Sequence, residues 1–279
     1  MSTIADLKAE LEEGTTLNFI SSAFTEASAA RIGRIRTLFE ANRQFYDEIS
    51  HVYHLVRISS QGTDLARSKD TIRKKVLSIA VTSNQRFYGN LNAVIMRSFL
   101  EAIASRQTDS MIIGATGHDY MKAVDYKKPF TKIIFLHDDP TSDETRAFLD
   151  AIMPYDAVVV YHPKFVSLVT QNVGEIDITQ AMVAGDKTSE DEIHMLFEPE
   201  SQKILEFFQR QVRALLFLHV MLEANLSRTA ARLITMSNAE ERSAELIKKK
   251  HAEIRKLQAS IVNEKLLETF AGMGQWKDK

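Results

Sequence analysis

Two neighbouring carboxylates and one pair of histidines are the side chains best placed for chemistry. Asp138 and Asp139 follow an apolar run of strand length, where active-site carboxylates often lie. Because Pro-Thr-Ser follows at 140–142, we interpret them instead as helix caps and first-turn charges. His51 and His54 are spaced to share a helix face, but without a third ligand nearby they predict a solvated or partly packed pair. Neither group provides a nucleophile, a base and an orienting residue, so we expect no catalytic residue and no metal site.

Glycine-containing turns are the other place to look for a site, because they can hold phosphate groups. The turn at 82–90 reads TSNQRFYGN and contains one glycine, whereas a dinucleotide fold needs G-x-G-x-x-G. Gly114 and Gly117 follow the next apolar run, and 185–188 reads GDKT without the upstream glycine of a phosphate loop. We therefore expect no intrinsic nucleotide site and no cofactor.

The composition is that of an ordinary folded protein. Of 279 residues, 44% are hydrophobic and 26% are charged, which supplies enough apolar material for a core. The absence of cysteine excludes disulfides and thiol chemistry and fits a reducing compartment. The net charge of −2 argues against a nucleic-acid partner. The sequence contains no run of about 18 apolar residues, the length that a membrane span needs. Its acidic N terminus does not look like a signal or transit peptide.

Two long helices dominate the elements that must position any site. Residues 200–271 contain neither glycine nor proline, and their apolar residues return at helical spacing. A helix of that length would extend about 110 Å, several times the radius of gyration of about 20 Å expected for a compact chain of this size. Residues 1–58 repeat the pattern, with Gly14 and Gly33 as their only glycines. The sequence therefore predicts a helical arm at each end of the chain.

A spacing of three and four residues marks the faces by which these helices would pack. In the C-terminal helix, Ile247, Ile254 and Ile261 recur at the heptad spacing of a coiled coil. The simplest partner for each terminal helix is the other, and a folded middle lets them pair antiparallel. The predicted seam, as we call this set of apolar contacts, consists of Leu7, Leu11, Ile20, Phe24, Ile247, Ile254, Leu257 and Ile261.

The middle of the chain changes periodicity. Short apolar runs have the length and composition of strands, at 76–81, 111–113, 133–136 and 157–161. Helix-like stretches lie between them, at 92–105, 118–124 and 142–152, and prolines such as Pro163 are expected in the loops. The alternation predicts a small, mostly parallel sheet with helices on its faces. The predicted fold class is thus α/β with long helices: an antiparallel coiled coil of the N- and C-terminal helices plus a small Rossmann-like α/β domain, divided at 1–60, 73–197 and 199–273.

Several stretches resemble the gamma subunit of F-type ATP synthases. Residues 236–247 read MSNAEERSAELI and are similar to the family's M-D-N-A-x-x-N-A-x-E-L-I. Residues 261–268, IVNEKLLE, are similar to its I-T-x-E-L-x-E, and 230–236, AARLITM, to its A-A-R-M-x-A-M. The F-E-P that starts the family's last helix stands at 197–199. The order of parts agrees over essentially the whole chain.

The resemblance implies a mechanical role. In that family the coiled coil lies inside a ring of alternating alpha and beta subunits, and the globular part, with the epsilon subunit, rests on the membrane-embedded c-ring. Rotation of the shaft drives the catalytic sites of the ring, and gamma has no catalytic residue of its own. The resemblance thus implies a non-catalytic rotor shaft, peripheral to the membrane, with these subunits as partners. The absence of a transit peptide favours the cytoplasmic face of the cell (inner) membrane. Its expected contacts with the ring are Lys8, Arg31, Arg255, Lys256 and Gln258.

Charge is where this chain departs from the family. Its first 30 residues contain Lys8 against five acidic side chains, a side-chain net charge of −4, where family members are strongly basic. The family's R-Q pair falls at Gln258 and Ala259, so Arg255 or Lys256 would have to replace its arginine. A distant lineage with a coevolved ring explains this pattern, and a gamma-like paralogue in an altered ATPase-like assembly is the alternative.

Two other classes of protein stay open from the residues alone. An α/β enzyme with helical arms would bind a ligand at the carboxyl ends of its strands, near 83–90 or 114–117. A coiled-coil scaffold would dimerise through Ile247, Ile254 and Ile261, whereas a shaft would bury these residues within one chain.

Overall fold

The computed structural model describes residues 3–60, 75–179 and 201–277, with side chains over 3–49, 75–179 and 211–270. The helices are α1 (Ile4–Ser60), α2 (Leu91–Ser105), α3 (Ala115–Ala123), α4 (Ser142–Ile152) and α5 (Ser201–Lys277). The strands are β1 (Val76–Val81), β2 (Asp109–Ile113), β3 (Thr131–Ile133), β4 (Ala157–Phe165) and β5 (Gln171–Asp177). The turn at 185–188, the predicted helix start at 197–199 and the side chains of His51 and His54 lie outside the described residues.

The two terminal helices are long and uninterrupted, as their proline-free sequences predict. α1 has 57 residues and α5 has 77. At the start of α1, the Thr3 backbone N–H donates to Asp6 Oδ2 (2.8 Å), and the Asp6 backbone N–H donates to Thr3 Oγ1 (3.2 Å). This reciprocal cap satisfies two of the N–H groups that a helix leaves free in its first turn. α5 continues past Gly272 and Gly274, since a glycine weakens a helix by about 1 kcal/mol without ending it.

The middle of the chain forms a mixed five-stranded sheet in the order β3-β2-β1-β4-β5. The first four strands in sequence are parallel, and β5 is an antiparallel edge strand. The third strand was predicted at 133–136 but lies at Thr131–Ile133, because beyond Ile133 the chain leaves the sheet and inserts Phe135 into the core. β5 was missed, because an edge strand reading QNVGEID has too few apolar residues to form a run.

Pro163 lies in a strand rather than in a loop. The pairing of β4 with β1 ends at Tyr161, so only β5 pairs with β4 further along. Proline is tolerated where a strand has lost one neighbour, because its missing N–H then leaves no central ladder bond unmade. The expectation of a loop at Pro163 was therefore wrong.

Alternating residues of the strands feed two cores, one on each face of the sheet. Ile79, Ile113 and Val160 point to the face covered by α4 and α5, where Phe148 and Phe217 stack with ring centroids 4.0 Å apart. Ala80, Ile112, Val159 and Tyr161 point to the opposite face, covered by α2 and α3. This alternation is the period of two of a pleated strand. The mostly parallel sheet with helices on both faces is confirmed.

The chain divides into two compact units, residues 1–29 with 233–279, and residues 30–232. In the first unit α1 and α5 are antiparallel, because residues further along α1 contact residues that come earlier in α5. Lys250 of α5 pairs with Glu10 of α1, and Asn18 of α1 donates to the Glu240 carbonyl (2.9 Å). The antiparallel pairing of the terminal helices is confirmed, whereas the domain boundaries stay a prediction.

Candidate functional site

The carboxyl ends of β1, β2 and β3 are the first candidate site, because many α/β folds bind ligands there. Asn84, in the turn after β1, connects all three. Its backbone N–H donates to Asp138 Oδ1 (2.7 Å), and its side-chain amide donates to the Phe135 carbonyl (2.9 Å). Its side-chain oxygen accepts from the Ala115 N–H (3.0 Å). The polar groups of these turns therefore bind one another.

Gly114 and Gly117 let two of these turns approach closely. The Thr82 hydroxyl donates to the Ile113 carbonyl (2.7 Å) and accepts from the Gly117 N–H (3.0 Å). A Cβ at Gly117 would lie 2.6 Å from Thr82 Oγ1, and one at Gly114, where φ is +103°, would lie 2.7 Å from the Thr82 carbonyl. These glycines face protein atoms rather than an open cradle, so packing between turns accounts for both.

Arg228 of α5 fills the space beyond the strand ends. Arg228 is 1% exposed. Its Nη1 donates to the Thr82 carbonyl (3.0 Å), and its Nη2 donates to the Asp138 carbonyl (3.3 Å). The Arg228 side chain therefore lies where an α/β enzyme would bind its ligand.

Tyr88 and Arg232 extend the contact between α5 and the strand ends. The Tyr88 hydroxyl donates to Asp138 Oδ2 (2.9 Å), and burial, followed by the charge of Asp138, raises the pKa of Tyr88 to about 12. Cζ of Arg232 lies 4.4 Å from the centroid of the Tyr88 ring, and Nη2 donates to Gln85 Oε1 (2.7 Å). Tyr88 therefore remains a protonated donor at neutral pH.

Asp139 binds two long helices instead of capping α4. The N-cap of α4 is Thr141, whose hydroxyl accepts from the Glu144 N–H (3.3 Å) in a capping box. The interpretation of the two aspartates as caps was therefore wrong. Asp139 accepts from the Arg31 guanidinium of α1 (2.8 Å) and from the Asn225 amide of α5. Arg31, expected as a ring contact, already has this intrachain partner, although both side chains are 48% exposed and the pair adds about 1 kcal/mol at most.

A buried histidine and glutamate join β4 to α5, and the sequence analysis missed them. His162 Nε2 lies 2.8 Å from Glu223 Oε2, and the residues are 3% and 8% exposed. Gly174 of β5 lies opposite, and a Cβ there would be 2.7 Å from His162 Cε1. Burial raises the pKa of Glu223, but the hydrogen bond and charge of His162, with His219, bring it below its ordinary value. The signal was available in the run at 214–222, where His219 interrupts an apolar face and an acid follows.

His219 carries this polar group on to α1. Its ring stacks on Phe39 with centroids 4.8 Å apart, and Nδ1 lies 3.2 Å from Asn42 Oδ1. Burial lowers the pKa of His219, so the imidazole stays neutral over a wider pH range than an exposed one. In the second unit, α1 and α5 therefore meet through aromatic and amide contacts.

The other expected ring contacts are on the surface of the first unit. Lys8, Arg255, Lys256 and Gln258 are all exposed. Lys256 lines a shallow open cleft with Leu7, Glu253, Leu257 and Ser260. These four side chains are accessible to a partner, and their roles as contacts stay predictions.

The residues of the predicted seam differ in their burial. Leu7 and Ile254 are buried, and Leu11, Phe24, Ile247 and Leu257 are partly buried. Ile20 is 43% exposed. The buried positions of α1 recur every seven residues, at Leu7, Gly14, Ser21 and Ser28, so Ser21 is buried in place of Ile20. Ile261 is 37% exposed. Leu257 lies beside Leu7, in the first turns of α1, so at Ile261 the α5 helix has already passed the start of α1.

The last described turns of α5 present apolar side chains to solvent. The exposed fraction ranges from 50% for Leu266 to 70% for Leu267, and Val262 and Phe270 lie between these values. Within the part of the chain that the structure describes, no group of three or more acidic or imidazole side chains could hold a metal ion. Nor does any helix there combine the length and apolar character that crossing a bilayer requires.

The fold combines two long terminal helices that pair antiparallel with a mixed five-stranded sheet whose strand ends are bound by Arg228. A family model described as ATP synthase matches residues 3–274. The chain belongs to this family, that of the ATP synthase gamma subunit. The resemblance drawn from residues 230–247 and 261–268 is confirmed.

Solved structures of rotor chains share the fold at low sequence identity. The Tetrahymena thermophila mitochondrial ATP synthase central stalk and c-ring structure contains a chain with a TM-score of 0.60 and 16% identity, covering 79% of this chain and 99% of that one. The Euglena gracilis mitochondrial ATP synthase provides two more. Its rotor in rotational state 1 matches at a TM-score of 0.52 and 15% identity over 86% of this chain and 99% of that one. Its OSCP/F1/c-ring structure in rotational state 3 matches at 0.56 and 14% over 90% and 94%.

Proposed function

We propose that this chain is the central rotor shaft of an F-type ATP synthase, coupling ion flow through a membrane ring to ATP synthesis or hydrolysis in a surrounding alpha/beta hexamer. The observation that carries the proposal is the pairing of α1 with α5 inside one chain. Ile254 is buried and a Cβ at Gly14 would lie 3.6 Å from Ile247. A scaffold that dimerised through this face would need the same side chains to be free.

The shaft itself performs no bond chemistry in this proposal. Its work is to present different faces to the subunits around it as it turns, so that the catalytic sites of those subunits change in sequence. Exposed charges such as Lys8, Arg255 and Lys256 suit such contacts, because an exposed charge can form and break a pairing at a cost of about 1 kcal/mol or less. The protein is then a non-catalytic component of the complex.

The proposed partners are the alpha and beta subunits, the epsilon subunit and the c-ring. The relatives with solved structures come from rotor, central stalk and F1/c-ring assemblies, which supports this set. The proposed location is the cytoplasmic face of the inner membrane, peripheral to the bilayer. Sedimentation of the chain with membranes, and its release by a wash that detaches peripheral complexes, would test the location.

A gamma-like paralogue in an altered assembly is the second candidate, and the acidic start of α1 favours it. Asp6, Glu12 and Glu13 are exposed there, and Lys8 is the single basic residue among the first 30. A ring that accepts this surface must carry basic groups opposite it.

One purification separates the two candidates. The tagged chain is recovered from gently solubilised native membranes, and subunit stoichiometry is measured by quantitative mass spectrometry. We expect one copy with three alpha-type and three beta-type subunits. Recovery with other proteins, in a preparation where an ordinary gamma subunit is present, would refute the rotor assignment in favour of the paralogue.

A further inference from the structure

Arg228 is the largest fully buried side chain of the described residues. It leaves α5 and donates to two main-chain carbonyls, Thr82 after β1 and Asp138 after β3. These two carbonyls belong to different turns at the carboxyl edge of the sheet. One side chain therefore connects the helix to two separate points of the sheet.

The position is a costly one for an arginine. A buried guanidinium loses its hydration, and the contacts at 3.0 and 3.3 Å are to neutral carbonyls rather than to a carboxylate. Its Nε is buried without a hydrogen-bond partner. The carboxylate of Asp138 itself is bound by the Asn84 N–H and the Tyr88 hydroxyl. Stability alone would be served as well by an apolar residue of similar size, so the geometry suggests a directional role.

Directional contacts are the minority at this interface. Much of the contact between α5 and the sheet is made by apolar side chains such as Phe217 and Val220, and apolar burial is not directional. The hydrogen bond of Glu223 with His162 joins α5 to one strand, β4, whereas Arg228 joins it to the turns after two strands. A guanidinium about 9 Å from the helix axis moves by about 3 Å when the helix turns by about 20°. Hydrogen bonds do not survive such a shift, so Arg228 resists rotation of α5 far more steeply than the apolar contacts do.

We propose that Arg228 is the positioning residue that fixes the rotational register of α5 against the sheet and so carries torque between them. The inference rests on the proposed rotor function and adds the place where the sheet and the helix are joined. Arg232, one turn further along α5, reinforces the joint through the Tyr88 ring and Gln85 Oε1. Torque delivered to the sheet then reaches the paired segment of α5 through one continuous helix.

The test uses the whole complex in membrane vesicles and compares R228M with the wild type. Two rates are measured on the same assembled preparation: ATP hydrolysis and ATP-driven ion pumping, followed with a membrane-potential dye. Loss of both directional bonds should lower pumping per ATP hydrolysed by about threefold or more. R228K keeps the charge but reaches a single carbonyl at best, and an intermediate ratio is expected.

Two control variants separate torque from mere folding. I152V opens a small cavity in the core between the sheet and α5, where Ile152 is 0% exposed. It lowers the stability of the fold, as loss of Arg228 would, but leaves the hydrogen bonds of Arg228 intact. R106M removes a surface arginine that pairs with Glu175 at 3.1 Å. Both should leave the pumping ratio unchanged.

A lower ratio in R228M and R228K, with normal subunit stoichiometry and unaffected controls, supports the inference. An unchanged ratio in the assembled arginine variants, or an equal fall in I152V at the same melting temperature, overturns it. If R228M does not assemble, R228K decides by the same criterion. Failure of the wild-type chain to be recovered with alpha- and beta-type subunits would instead refute the rotor function itself.

Discussion

His162 Nε2 and Glu223 Oε2 lie 2.8 Å apart between β4 and α5, both almost wholly buried. The pair connects β4, the neighbour of the edge strand β5, to the long C-terminal helix. Because a buried charge is costly without a partner, each residue depends on the other.

Glu223→Gln should destabilise the protein by about 1–3 kcal/mol at neutral pH, since a charge-assisted bond in a buried site is lost. The folded-state pKa of Glu223 is below its ordinary value of 4.5, so its contribution is present above that value and is lost as pH falls through the lower folded pKa. The difference between wild type and variant should therefore shrink at acidic pH. Denaturant unfolding at several pH values measures it.

Glu40→Gln is the control for that experiment, because Glu40 pairs with Arg36 at 2.8 Å on the exposed surface of α1. Its effect should stay within about 0.5 kcal/mol. A difference for the Glu223 variant that grows on acidification would contradict the assignment of Glu223 as the ionised partner.

Gly117→Ala should weaken the contact between the turns after β1 and β2. The added Cβ would lie 2.6 Å from Thr82 Oγ1 and 2.8 Å from the Ile112 side chain, so we expect a loss of about 1–3 kcal/mol. Gly33→Ala is the matched change, because no heavy atom lies within 4 Å of a Cβ there. In the middle of α1 that variant should stabilise by about 0.5–1 kcal/mol. Thermal unfolding of the two variants should move in opposite directions, and a shared direction would refute the packing argument.

Ile254→Ala and Ile261→Ala make the same chemical change seven residues apart on α5. Ile254 is 8% exposed against α1, and its truncation should cost about 2–4 kcal/mol. Ile261 is 37% exposed, and its truncation should cost less than about 1 kcal/mol. Helical circular dichroism during unfolding reports both. The purified chain should also sediment as a monomer, whereas a stable dimer lost on Ile254→Ala would favour the scaffold.

Reversal of Arg255 and Lys256 to glutamate tests the predicted ring contacts. Both side chains are exposed, so folding should change by less than about 0.5 kcal/mol. Coupled activity of the complex should fall several-fold if these charges grip the surrounding subunits. Lys127→Glu, at an 86% exposed side chain of the sheet unit, is the matched reversal and should have no effect. Normal coupling in the double variant would remove both residues from the predicted contacts.

Much of the fold could be predicted because its signals are local. The absence of proline and the helical spacing predicted α1 and α5, and apolar runs predicted β1, β2 and β4 close to their observed positions. β5 escaped because an edge strand buries too little to need an apolar run. Ile20 was placed on the seam by its apolar character, although burial follows the geometric repeat through Ser21.

The sequence by itself determined the class of protein, since helix length, strand spacing and the 236–247 stretch are all properties of neighbouring residues. Only the tertiary structure showed that Arg228 fills the strand ends, that Asp139 binds α1 and α5, and that His162 meets Glu223. These pairs are separated by 61 to 146 residues in the chain. No local pattern encodes them, because a buried polar group is satisfied by whichever partner the packing of distant elements brings within hydrogen-bond reach.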